Sequence, residues 1–292
     1  LASAPTDYDR YAAARIMAEE QRHGWQMAYL LMTYFGQQGR REAQKLLERN
    51  AQDGDRLLGA FNIPMPHWLD FFCYTMFVDR DGKFQLGMLS TSAFKPLAAS
   101  MGPMLKEESF HLGTGSNGLR RIIKAGVIPL DMLQRYINKW VSTAHDLFGV
   151  DASSSAHWAY VWGIKGRWDE RKKLDAGVEV NKEVLNEESR GHYHQEIVGE
   201  VRKLCGYLPE GAEELFVPHE NFNRAIGATK GQHFNVDGTP FEGSEEDYAA
   251  YLAEVLPTDQ DELDLQELFK QEWIANKPMS TRQIESGIGA SA

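Results

Sequence analysis

"AEEQRHG" (residues 18–24) and "KEESFHL" (residues 106–112) each place a glutamate three residues ahead of a histidine: Glu20 before His23, and Glu108 before His111. On a helix this spacing stacks the two side chains on one face, ~5–6 Å apart at Cβ, so a carboxylate oxygen and an imidazole nitrogen can reach one ion. The flanking sequence is helical in character. Residues 8–35 lack proline, are rich in Ala, Met, Leu, Gln and Glu, and run into Gly36, a helix stop. Steps of four and three along this segment give the stripe Ile16, Glu20, His23, Met27, Leu30, Tyr34. The same stepping gives Met104, Glu108, His111, Gly115. Both polar pairs therefore fall on the stripe expected to face the core.

A buried carboxylate needs a partner, and a divalent metal held between two such helices would satisfy two Glu and two His at once. Helical bundles that bind two metal ions this way take one further acid from each of two more helices. Between the motifs, the stripe Trp68, Phe72, Thr75, Asp79, Gly82, Leu86, Leu89, Ala93 contains one acid, Asp79, and Asp81 falls ~200° away on such a helix. "VDRDGKF" is not a calcium loop, because Gly82 comes fourth from Asp79 where that loop needs glycine sixth. The other acid should precede residue 20 on an antiparallel helix. Only Asp7, Asp9 and Glu19 are there, and none leaves room for that helix and a turn. The chain also opens with Leu1 and not with Met, so the reading is a bundle whose first helix is absent. Glu19 and Glu107 could each reach their own histidine at four-residue spacing; they lie off the apolar stripes and read as supports or solvated groups.

The expected fold is all-α: a helical bundle over residues 1–150 and a mostly helical extension over 151–292. A second helix is expected over 40–50 and a break at "FNIPMPHW". A long apolar stretch follows over 68–93, Pro96 and Pro103 interrupt, helix resumes over about 104–123, and an amphipathic helix ends at Gly149. In the extension, "RWDERKKLD" (167–175) and "NKEVLNEESRGHYHQE" (181–196) read as exposed helices, "HFNVDGTPF" (233–241) as a small β-hairpin, and the tail after Pro278 as loose.

Composition excludes several classes. The 31 basic and 42 acidic residues give a net charge of -11, which argues against nucleic acid or an anionic membrane as partner. No apolar run is long enough to span a bilayer and no secretory leader is evident. Cys73 and Cys205 form no Cys-x-x-Cys pair, which excludes an iron-sulfur cluster and suits the cytoplasm. "GTGSNG" (113–118) fits a dinucleotide fingerprint but follows no strand; its glycines read as close helix packing or room beside the metals. "HYH" (192–194) reads as surface, Arg120, Arg121 and Arg171, Lys172, Lys173 as solvated faces or as groups that could meet the phosphates of a large anionic ligand, Cys73 as a core thiol, and His67, His145, His157, His219 and His233 have no spacing that selects them.

"EEQRHGWQMAYLLMTYFG", "FFCYTMFVDRDGKFQL" and "KEESFHLG", followed by "YINKWVSTAHDLFG", "GIKGRW" and "VPHENFNRAIG", resemble the oxygenase components of the benzoyl-CoA 2,3-epoxidase family, within the phenylacetate-catabolic ferritin-like di-iron oxygenases. The resemblance runs from about residue 4 to Pro278. It implies that Glu20, His23, Asp79, Glu108 and His111 match iron ligands, with Asp79 where many relatives have Glu, and that the family's remaining ligand, a Glu on a preceding helix, has no position here. It further implies two iron ions, O2 as co-substrate, epoxidation of the ring of an aromatic acyl-CoA such as benzoyl-CoA, and electrons from NADPH through a separate flavin and iron-sulfur reductase. The runners-up are a sister oxygenase acting on phenylacetyl-CoA or another acyl-CoA, and a non-catalytic iron-binding or scaffold subunit; homo-oligomerisation stays open. Phe72, Met76, Met104 and Phe110 are expected to form the apolar surround.

Overall fold

The computed structural model describes residues 3–167, 181, 183–271, 273 and 274. Helix α1 spans Asp7–Tyr34, its free N–H groups capped by Thr6, whose hydroxyl accepts from the amide of Asp9. Gly36 sits in the left-handed region (φ 56°), which lets the chain reverse directly into α2, Gly36–Glu48, earlier than the sequence suggests. A single 3-10 turn, Gly59–Asn62, and an irregular stretch then lead to α3, Trp68–Cys73.

The apolar stretch after residue 68 is not one regular helix. A wide π-turn, Tyr74–Val78, separates α3 from α4, Asp79–Leu89, and the amide of Asp79 bonds back to the carbonyl of Tyr74. Helix α5, Lys95–Ala125, starts well before the expected residue 104. Pro96 lies in its first turn, where no N–H is missed, and Pro103 lies inside it. Pro103 and Ala99, whose carbonyl loses its helical partner, are both exposed. Water can therefore satisfy that carbonyl, and the helix runs on.

Helix α6, Leu130–Leu147, packs into the bundle, which is all-α and ferritin-like. Helix α5 packs between α1 and the α3–α4 rod, and α6 packs on the rod's other side. After α7, Ser154–Val161, comes α8, Leu185–Cys205, followed by α9, Glu245–Val255, and α10, Asp259–Leu268. Helix α8 is more than the exposed helix its charges suggest. Leu185, Tyr193, Ile197, Val201 and Leu204 are buried, and the last four join Phe72, Phe77, Phe84 and Trp140 in one core with Leu265, Trp273 and Ile274. Each such large side chain removed from water stabilises the fold by about 1.5–3 kcal/mol. Of "HYH", only His192 is exposed; His194 is half-buried and bonded to buried His145.

Two further expectations need correction. Residues 233–241 turn back through a lone antiparallel bridge, Phe234 to Pro240, and no hairpin forms among the described residues. Pro240 has no N–H to continue a ladder. Arg121 is not a solvated group: it is buried and forks onto the two oxygens of buried Asp9 at 2.7 and 3.0 Å, tying α5 to α1. "RWDERKKLD" from Trp168 onward and the tail lie outside the described residues. No helix among the described residues is long and apolar enough to cross a membrane.

Glycines on α5 set how closely the rods approach. A Cβ at Gly115 would sit 2.4 Å from the amide nitrogen of Met76, and one at Gly118 2.2 Å from the ring of Phe72. The glycines of "GTGSNG" thus serve helix packing at these two positions, while Gly113 meets nothing.

Candidate metal centre

Helix α1 presents Glu20 and His23, α5 presents Glu108 and His111, and the first residue of α4 is Asp79. All five sequence-selected residues meet in one place. His111 Nδ1 lies 3.2 Å from Glu20 Oε1, 3.6 Å from Glu108 Oε2 and 3.8 Å from Asp79 Oδ2. His23 Nδ1 lies 3.7 Å from Glu20 Oε1 and 4.0 Å from Glu108 Oε1. The two imidazole centroids are 6.3 Å apart. Glu20, His23 and Glu108 each offer one ligand atom within 4.8 Å of the others. The remaining pair carries the fit test: His111 Nδ1 and Asp79 Oδ2 are buried and make no well-directed hydrogen bond.

The outer nitrogens are held in a crossed arrangement. His23 Nε2 lies 2.7 Å from Glu107 Oε2, and His111 Nε2 lies 3.0 Å from Glu19 Oε2. Glu19 and Glu107 therefore support histidines, as one sequence reading had it, but each holds the histidine of the other helix, not its own. Arg15 Nε donates to Glu19 at 2.8 Å, its guanidinium lying 3.8 Å over the Phe110 ring, and Arg22 donates to Glu107. A carboxylate at Nε2 fixes the proton there and turns the Nδ1 lone pair into the cage. The signal was in the sequence as a doubled motif, Glu-Glu-x-x-His, but the crossing needs the packed helices.

Charge in the cage is unbalanced. Burial, then Glu108 and Glu20, push Asp79 well above the usual carboxylate range, and burial followed by Glu20 also raises Glu108. Burial opposes the His111 cation, yet Glu108, Glu20 and the field of Asp79 win and raise it to about 11. Burial opposes the Glu20 anion in the same way, and its contacts with His111 and His23 bring it down to about 2. A cage that crowds three carboxylates around two imidazoles, with buried His111 Nδ1 and Asp79 Oδ2 lacking well-directed partners, is chemically suited to a divalent cation with oxygen and nitrogen ligands that displaces their protons.

One expectation fails in part. The stripe places Glu20 toward the core, but half of its side chain is exposed, so the cage opens along the outer side of α1. Met17, Trp25 and Tyr29 are exposed on the same helix. Phe72, Met76 and Met104 are fully buried, and the Phe110 ring lies 6.5 Å from that of His111. Asp81, read as facing away, is buried on the far side of α4, accepting from Gln85.

A helical bundle that gathers two Glu-x-x-His pairs and an aspartate into one cage has the donor set of a carboxylate- and histidine-lined metal-binding bundle. Residues 3–214 match the phenylacetic acid catabolic protein family, and the chain belongs to that family. It is 36% identical over 305 aligned positions to the benzoyl-CoA oxygenase component B of Aromatoleum evansii, covering 89% of this chain and 64% of that protein. The chain thus spans somewhat less than two thirds of the length of this curated relative.

Proposed function

We propose that this chain supplies five ligands, Glu20, His23, Asp79, Glu108 and His111, to the di-iron site of an oxygenase component that epoxidises the ring of benzoyl-CoA or a close aromatic acyl-CoA. The observation that carries the reading is the convergence of Glu20, His23, Asp79, Glu108 and His111 with both Nδ1 atoms turned inward. Membership of the phenylacetic acid catabolic family and the likeness to a benzoyl-CoA oxygenase component support it.

When bound and reduced, two iron ions supply the electrons and open coordination positions that O2 chemistry requires. The chain's own residues do the rest. Glu20, Glu108 and Asp79 offer oxygens and His23 and His111 offer Nδ1, while Glu107 and Glu19 keep the protons on Nε2. Burial of His111, Glu108 and the Asp79 Oδ2 atom limits water on the α5 side. Electrons come from a separate NADPH-dependent reductase, since the sequence carries no flavin, nicotinamide or iron-sulfur motif of its own. "Component B" in the relative's name describes a multi-component system and fits a partner of that kind. The protein is expected to act in the cytoplasm.

The test has two parts. Anaerobic titration of the metal-free chain with Fe(II) should show binding that is lost in Glu108→Ala and His111→Ala; a folded chain that binds no iron would falsify the reading. Supplied with reductase, NADPH and O2, the loaded protein should convert benzoyl-CoA to an oxygenated thioester. Turnover of phenylacetyl-CoA and not of benzoyl-CoA would assign the sister activity, and iron binding without turnover of either the scaffold role.

A further inference from the structure

The π-turn that delivers Asp79 to the cage is held from outside the bundle. Two side-chain donors reach its carbonyls: the buried Tyr193 hydroxyl, from α8, donates to Phe77 O at 3.1 Å, and the buried Arg80 Nε donates to Met76 O at 3.1 Å. Arg80 is fixed in turn by α8, since its Nη1 donates to Glu196 Oε1 at 2.5 Å, and Lys83 Nζ grips the same carboxylate at 2.8 and 2.6 Å. On the opposite side, Gly115 lets the α5 backbone abut Met76. A wide turn disturbs the regular helical hydrogen-bond ladder, so donors from elsewhere decide whether it persists or relaxes to an ordinary helix. Relaxation would shift every residue after it by one position in register and swing Asp79 off the cage.

From this geometry we infer that Tyr193, backed by the Arg80–Glu196 pair, is a positioning residue for the metal centre: α8 locks the π-turn and thereby aims Asp79. The part of this inference that concerns metal rests on the proposed di-iron reading. It gives a residue far along the chain, outside both Glu-x-x-His motifs, a defined effect on a ligand it does not touch.

Tyr193→Phe is the direct test in the full chain. It keeps the ring that packs against Phe84, Phe148 and His145, at centroid distances of 6.2, 5.4 and 5.3 Å, and removes only the hydroxyl. Two readouts are followed on metal-free protein: amide hydrogen exchange over residues 74–81, and titration with Co(II) as a spectroscopic probe. The variant should show unchanged helical circular dichroism, faster exchange confined to 74–81, and Co(II) affinity lower by about 10-fold, the usual size for loss of an outer support. In an Asp79→Asn background the same substitution should cost no further affinity, because the lock acts through Asp79. Wild-type exchange together with wild-type affinity in Tyr193→Phe overturns the inference, and so does an equal loss of affinity with and without the Asp79 carboxylate. If Tyr193→Phe does not fold, Glu196→Gln, which weakens the hold on Arg80, is read by the same measurements and the same outcomes. A wild-type chain that binds no Co(II) removes the metal reading, while exchange over 74–81 still decides whether Tyr193 holds the turn.

Discussion

Glu19 and Glu107 show how much a single residue's partner matters. Both contact the Nε2 atom of a histidine on the facing helix, and each is braced by an arginine of α1, Arg15 or Arg22. Replacing Glu107 with Gln keeps the shape and removes the charge that anchors the His23 proton. Such outer partners typically change metal affinity by about 10–100-fold. Glu107→Gln is therefore expected to weaken Co(II) binding by a factor in that range with little change in thermal midpoint, measured by competition against a chromophoric chelator. Affinity equal to that of the wild type would mean that the 2.7 Å contact orients nothing. Residue identity at the cage was legible because acids and histidines on an apolar stripe are costly without a purpose. The exposure of Glu20 was not legible, since stepping by four and three finds the centre of a stripe and not how far neighbouring helices cover it.

At the scale of elements, the contact between α5 and the π-turn is a close approach of a helix to a neighbouring backbone. A Cβ at Gly115 would lie 2.4 Å from Met76 N, 2.7 Å from Thr75 Oγ1 and 2.8 Å from Met76 Cα, all on the element that carries Asp79 forward. Backbone cannot yield as a flexible side-chain end can. Gly115→Ala should therefore cost about 1–3 kcal/mol by overpacking, despite the better helix propensity of alanine. Gly113→Ala, which meets nothing, should be neutral or slightly stabilising. Denaturant unfolding of the pair measures the difference, and equal midpoints would refute close packing at Gly115. The helices themselves could be read from apolar spacing and glycine stops, as α1 and α6 illustrate. The π-turn could not, because "YTMFV" has the composition of any buried helix and the turn is selected by the packing and donors around it. Pro103 misled for a related reason: proline disfavours helix locally, but an exposed carbonyl and thirty other helical residues outweigh one lost bond.

For the whole molecule, the charged composition of the second half hid its part in the core: α8 alternates Glu, Arg and His with Tyr193, Ile197, Val201 and Leu204, and those four are buried with the bundle. The same core holds an unneutralised cage, which makes folding, protonation and metal binding one coupled equilibrium. In the metal-free protein His111 is raised from 6.5 to about 11, and His23 is shifted upward too, by Glu20 and Glu107 against the effect of burial. A histidine whose folded pKa lies above its unfolded value contributes its full stabilisation below pH 6.5 and loses it as pH climbs toward 11. Metal needs the neutral imidazole, so binding expels that proton and strengthens with pH, by up to about tenfold, or ~1.4 kcal/mol, per unit for each proton displaced. The metal-free chain should therefore lose thermal stability between pH 6.5 and 8.5, while the same chain with Co(II) at a hundred times its dissociation constant should be held up by about 2.7 kcal/mol. At fixed Co(II) concentration the gap between the two melting curves should widen as pH rises, and a chelator should close it. A gap that stays constant or narrows across this range would show that His111 gives up no proton to the metal and would overturn the coupling between its titration and binding.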